Sequence, residues 1–400
     1  MYDQIRENIL FLMFYAVVAA LSMMASCYLL LRQGNAFARD VTPPTRLRRW
    51  TAAFFASMTL SHVWYMPVLF LTTSDDVKLN YLIGALLDYL ILVPLAIVVL
   101  FVMLQDRRRP LWPAWVMAAP PVVIMAWCVV TRSDALPLIL YAYLLLLGIG
   151  LIIYMVREVR RYGCWLRDNY ADLEHKEVWQ SFVALAVMLL VFGIYSIGIR
   201  GPVYQYVFQI NDVVLICYLL WRVETLSDLS ISQPQSLPAD LSVSVNEESD
   251  VSPKILTDTI GPLLQKYCID TQLYLQHDLT LLQLAKAIGT NRFYLSQYFS
   301  SQGMNYNAYI NDLRINHFVG LYHEAVGVQR SVTAQQLALD SGYRSYNTFR
   351  DAFKRKTGQS VIAWMKDASK QEQSQACMDS AERRQARPEG KDVHEGHGKP

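Results

Sequence analysis

Seven apolar stretches, each long enough to cross a bilayer as a helix, fill the first 223 positions of this 400-residue chain. They lie near 9–31, 50–72, 81–104, 111–131, 135–156, 178–199 and 203–222. In hydrocarbon every backbone N–H and C=O must be satisfied internally, and within a single segment only a helix does this. The chain is 53% hydrophobic, too apolar for a wholly water-soluble protein. The first run is not a cleavable signal. It lacks a basic leader, is long, and is followed by a basic loop rather than small residues.

Positive charge gives the expected orientation. Loops 32–49 (Arg32, Arg39, Arg46, Arg48, Arg49), 105–110 (Arg107, Arg108, Arg109) and 157–177 (Arg157, Arg160, Arg161, Arg167, Lys176) fall on one side. The opposite side has only Arg6, Lys78, Arg132 and Arg200. The basic side is cytoplasmic by the positive-inside rule. Seven spans then put the N-terminus outside and the C-terminus inside, and an even number would reverse the C-terminal assignment. Loop 157–177 mixes charges with Trp165, Tyr170 and Leu173, which predicts a short interfacial or docking helix.

Ionisable residues inside such spans are costly and face a bundle interior or cavity. Asp88, Asn211 and Asp212 are the candidates for a sensing site, against the plainer reading of interhelical hydrogen bonds. His62, beside Trp64 and Tyr65, is better read as structural.

Composition changes after residue 223. Residues 224–256 are rich in Ser, Pro and acids without helical period, the signature of a flexible linker. From 257 to 367 the pattern is helical again and contains one motif twice. TLLQLAKAIG (280–289), NRFYLSQYF (291–299) and GMNYNAYI (303–310) are answered by TAQQLALDSG (333–342), SYNTFRDAF (345–353) and GQSVIAWM (358–365). Thr280 and Thr333 stand three residues before a Gln, the capping-box spacing. Gly289 and Gly342 stop the first helix of each copy, and Asn291 and Ser345 cap the second. Leu295 with Phe299, and Phe349 with Phe353, form inward i, i+4 stripes that leave the opposite face free for a DNA major groove.

At these residues the chain resembles the AraC/XylS family of bacterial transcription regulators, over roughly its last third. The resemblance implies two helix-turn-helix units joined by a long helix, expected at 306–326 with Arg314 inside it. It also implies DNA-reading positions at Arg292, Phe293, Ser296 and Gln297 in the first unit, and at Tyr346, Asn347, Arg350 and Asp351 in the second. Lys354, with Lys286, Arg355 and Lys356, reads as phosphate-contacting. Val361 stands where the family commonly has Pro, and the soluble sugar-binding barrel of several members is missing. In wording, loop 157–177 is similar to membrane-anchored AraC-type proteins.

Charge agrees with this resemblance. Residues 280–366 carry ten Lys/Arg against four Asp/Glu, although the whole chain is only +2. A basic excess hidden in a near-neutral chain is the footprint of a nucleic-acid partner. The expected fold is all-α: a seven-span transmembrane bundle (1–223), a flexible linker (224–256), an AraC-type DNA-binding domain (257–367) and a disordered tail (368–400). The expected protein is a regulator in the bacterial inner membrane, with promoter DNA, the bilayer and RNA polymerase as partners. A homodimer and a small-molecule or protein signal are further expected partners. A catalytic reading of His175 beside Asp172 and Glu174 is weaker than that of a solvated histidine, no metal-ligand spacing occurs and the six cysteines form no CxxC, so no enzyme activity, metal or cofactor is expected. The competing reading is a transporter or intramembrane enzyme fused to a DNA-binding feedback module, and a third treats the spans as a plain anchor.

Overall fold

The computed structural model describes residues 8–32, 35–37, 41–132, 137–196, 202–229, 260–328 and 330–371. Most of the expected linker (230–256) and the tail from 372 lie outside the described residues. The described chain is helical, without a strand. It forms two compact units, one of Met1–Leu166 with Leu173–Ser249, the other of Arg167–Asp172 with Asp250–Pro400.

The first unit contains α1 (Ile9–Leu31), α2 (Thr45–Trp64), α3 (Ser74–Leu87), α4 (Val93–Met103), α5 (Trp112–Thr131), most of α6 (Pro137–Asn169), α7 (Trp179–Ser196) and α8 (Pro202–Thr225). Among the described residues five helices are long and apolar enough to cross a membrane: Ile9–Leu31, Ser74–Met103, Trp112–Thr131, Ala142–Asn169 and Gln205–Thr225. The expected count was seven. Of the other two, α2 starts five residues before the apolar run, so its first turns carry Arg46, Arg48 and Arg49. It stops at Trp64, before a 3-10 turn containing Pro67. α7 runs Trp179–Ser196, and its apolar sequence continues past Met188 through Leu189 to Ile194. The segment expected as a separate docking helix is instead largely a continuation of α6, which runs unbroken to Asn169.

Large apolar side chains point outward from these helices. Leu10, Val130, Leu146 and Leu190 are exposed, a pattern unsuited to water and suited to lipid. Inside, small polar residues let α1 and α2 approach. Ser26 Oγ donates to Ala52 O at 2.8 Å, and the Ser22 and Thr59 hydroxyls meet at 2.7 Å. Between α3 and α4 lies a π-helical turn, Asp88–Leu92, where the Val93 N–H reaches back to Asp88 O. Pro94, which lacks an N–H, follows at once and explains the irregularity.

The start of the expected linker is fastened rather than loose. Residues 224–229 are held by all three basic loops. Arg48 pairs with buried Glu224 at 3.1 Å, and Asn35 Nδ2 donates to Glu224 O. Ser227 N–H donates to His175 O at 2.8 Å, and Asp228 N–H to Thr42 O at 2.9 Å. Gln105 donates to Ser227 O and accepts from Leu229 N–H, both at 3.0 Å. Beside this clasp Arg109, Arg107 and Asp106 gather about buried Glu158.

The second unit has two cores. One is built from Leu284, Ala285, Leu295, Phe299 and Ile310, the other from Leu337, Ala338, Phe349, Phe353 and Val361. Each core is closed by a pair of short helices, α9 (Leu281–Ala287) with α10 (Arg292–Ser301), and α12 (Ala334–Asp340) with α13 (Tyr346–Thr357). The long helix α11 (Tyr306–Gly327) supplies Ile310 to the first core and Phe318 to the second. A last helix covers 361–371. Val361 is its first residue, packs into the second core, and occupies a position that tolerates Pro, so the departure from the family pattern is confined to a turn.

A remote piece of chain completes the first core. Tyr170 forms an isolated antiparallel bridge with Thr280, and Ala171 N–H donates to Leu279 O at 3.2 Å. Asn307 Nδ2 donates to Tyr170 O and Ala171 O at 3.2 and 2.7 Å. Ala171 itself is a core residue.

Candidate functional site

The caps that shape the second unit follow the repeat, with one difference. Thr280 and Gln283 close a full capping box. Thr333 accepts from Gln336 N–H at 3.2 Å, but the Gln336 amide turns instead to Asp340 Oδ1 at 2.9 Å. Asn291 and Ser345 cap α10 and α13 as expected. Gly289 and Gly342 both adopt positive φ, +75° and +85°. Gly342 is doubly required, because a Cβ there would sit 2.7 Å from the Leu275 backbone. Leu295, Phe299, Phe349 and Phe353 are all buried, so α10 and α13 each keep one face inward and one free.

The observation that decides the nature of this unit is the pair of stapled helix couples, each presenting a free second helix. Residues 284–367 match the helix-turn-helix domain family. The match is of the AraC type and supports DNA binding by this segment, about a fifth of the chain. No curated protein and no solved structure matches the chain.

Within the helix-turn-helix domain the expected DNA-reading side chains separate by accessibility. Arg292, Phe293 and Gln297 are exposed on α10, with Ser296 half-buried between them. Phe293, 69% exposed, is an apolar side chain left in solvent with no core duty. On α13 Asn347, Arg350, Asp351 and Lys354 are exposed, whereas Tyr346 is half-buried and packs against Phe349 at 6.1 Å. Arg350 Nε donates to Asp351 Oδ1 at 3.2 Å, so the carboxylate orients the guanidinium.

The basic residues do not all serve one surface. Lys286 and Arg355 are exposed. Lys356 reaches back to α11, pairing with Asp312 Oδ1 at 3.0 Å and donating to Asn316 Oδ1 at 3.2 Å. Arg314 is 1% exposed. It donates to the carbonyls of Tyr274, Gln276 and His277 and lies over the Tyr343 ring, locking the 274–277 turn to α11. Burial lowers its pKa from the ordinary arginine value. The Cys268 thiol, wholly buried in the first core, is pushed up to about 11 by burial.

A second polar constellation lies among the apolar helices of the first unit. Tyr65 OH donates to Asp88 Oδ2 at 2.8 Å, in the π-helical turn. Ser61 and Trp64 face the same carboxylate, yet its Oδ1 is buried without a well-formed hydrogen bond. His62 Nδ1 donates to Met58 O at 2.8 Å, and its Nε2 meets Gln209 Oε1 of α8 at 3.3 Å. Tyr15 of α1 packs on the His62 ring at 4.5 Å and donates to His62 O. Asp212, 7% exposed on α8, lies within electrostatic reach of Asp88. Asn211, its neighbour, is half-buried and joins none of these hydrogen bonds.

Sequence reasoning had set His62 aside and did not name Gln209. The signal for Gln209 was present, since Gln205, Gln209 and Asp212 recur at i, i+4, i+7, a single helical face, and all three are buried. Ser61 carried no comparable signal. Among the described residues no cluster of three or more His, Cys, Asp or Glu has the arrangement of a metal site.

Proposed function

We propose that this protein is a membrane-integral, sequence-specific transcription regulator. A bundle of seven spans, residues 1–223, would hold the paired helix-turn-helix domain, residues 257–367, at the inner face of a bacterial cytoplasmic membrane. One observation carries the DNA half. Two separately cored helix couples each free one helix face, and those faces bear Arg292, Gln297, Asn347 and Arg350, residue types that pair with base edges. Lys286, Lys354 and Arg355 add the charge that holds phosphates.

The membrane half is supported by five helices of spanning length and hydropathy with apolar side chains turned outward. Orientation has support too. The three basic loops meet residues 224–229, so the positive loops and the chain leaving α8 share one end of the unit. By the positive-inside rule that end faces the cytoplasm, where DNA is. The N-terminus then lies outside, RNA polymerase and a second copy are the natural partners on DNA, and no enzymatic step is needed.

Binding of the full-length protein to genomic fragments, mapped by footprinting, tests the proposal. Substituting Arg350 by Ala is expected to weaken specific binding by about 1–3 kcal/mol and to relax one base position. Unchanged affinity together with an unchanged sequence preference would remove Arg350 from the reading face.

A further inference from the structure

The constellation around Asp88 and Asp212 has a charge imbalance. Two carboxyls and one imidazole are drawn together from α2, the π-helical turn and α8, and no Lys or Arg among the described residues pairs with either acid. The one well-formed donor to Asp88 is the neutral Tyr65 hydroxyl, and Ser61 and Trp64 beside the carboxylate carry no charge either. Asp212 is nine-tenths buried and makes no hydrogen bond among the described residues. An isolated buried carboxylate is costly and calls for a cation, a donor or a proton.

The surroundings look prepared rather than accidental. Gly84 makes room for the Tyr65 ring, because a Cβ there would lie 2.2 Å from it, and this lets the Tyr65 hydroxyl reach Asp88 one turn further on. The π-helical turn that Pro94 imposes sets Asp88 within a helix of spanning length. Tyr65 also stacks near Tyr81, ring to ring at 5.6 Å, and Tyr15 covers His62. The location fits entry from outside. His62 sits two residues from the end of α2, and Asp212 lies roughly 15 Å from the start of α8 at 1.5 Å per residue, nearer that end than the end held by the basic loops.

We infer that Asp88 and Asp212 form a binding site for a small protonated amine that reaches the bundle from the side opposite the basic loops. The ammonium supplies the missing positive charge and N–H donors. Tyr15, Tyr65 and Tyr81 offer ring faces of the kind that attract cations. The inference rests on the membrane reading above and supplies the chemical class of the signal.

The test uses the full-length protein in lipid nanodiscs and a hydrophobic carbodiimide, which modifies carboxyl groups held protonated in apolar surroundings. Peptide mapping by mass spectrometry is done with methylammonium chloride up to roughly 100 mM, a hundredfold above a millimolar dissociation constant, and with potassium chloride at equal strength. The expected result is modification of Asp88 or Asp212 in potassium and several-fold less total modification in methylammonium, with the carbodiimide adduct and the methylamide formed by aminolysis of the activated carboxyl counted together. The Asp212→Asn variant should lose protection at Asp88. Equal modification in both salts overturns the inference, leaving carboxyls that take up protons only, and so does an absence of modification in either salt. Protection in the unaltered chain stands even if the variant fails to fold. Footprinting the same preparation separates the two readings, because intact DNA binding without protection removes only the amine site.

Discussion

At the scale of single residues the helix-turn-helix domain shows how one position can be fixed by two independent constraints. Gly289 and Gly342 occupy equivalent places and share a positive φ, yet only Gly342 also faces a backbone at 2.7 Å. Gly289→Ala should therefore cost about 1 kcal/mol, for the left-handed backbone alone. Gly342→Ala should cost clearly more, because Leu275 must shift as well. Thermal melts of the two variants check this, and equal losses would mean the Leu275 contact relaxes freely. The sequence repeat made both glycines legible as helix stops. It could not reveal the Leu275 contact, since that neighbour lies outside the repeat. Arg314 was counted with the basic surface for the same reason. Its three carbonyl acceptors belong to a turn some 40 positions earlier, and composition does not record such a meeting.

At the scale of elements, local rules were followed wherever local interactions decide. Caps at Thr280, Asn291 and Ser345 fix helix starts because the cap and the amide it satisfies are three residues apart. The long joining helix, expected at 306–326, is Tyr306–Gly327. Where hydropathy alone was the guide, boundaries moved. The second apolar run lost its last residues to the turn at Pro67, and α6 continued through a charged stretch expected to break away. Hydropathy reports the solvent a segment prefers, whereas helix continuation depends on backbone bonding that charged residues do not disturb. Asn307, in the first turn of α11, was not legible at all, since its acceptors are 136 and 137 positions away. Asn307→Ala should destabilise the helix-turn-helix domain by about 1–3 kcal/mol, by leaving the Tyr170 and Ala171 carbonyls buried without a donor. Urea titration measures it. A loss below about 0.5 kcal/mol would show that water replaces the amide.

At the scale of the whole chain, the division into an apolar half and a basic, DNA-binding half was readable from composition, because apolar surroundings and attraction to phosphate select different residues. The fastening of residues 224–229 was not, as Ser, Asp and Leu there look like any other linker. Nor was the true extent of the second unit. Its core takes in Arg167–Asp172, bounded on both sides by chain that belongs to the first unit. A polypeptide begun at the apparent linker should therefore melt below the same domain in the intact protein, and a synthetic peptide covering 167–172 should restore part of the difference. An unaltered melting point with no peptide effect would count against this. Genes that shuffle such regulators by recombination at the linker would inherit the reading helices with a gap in their interior. For this protein six residues of the DNA-binding unit are carried within the apolar stretch of chain, so losing that stretch would cost the reader part of its own fold.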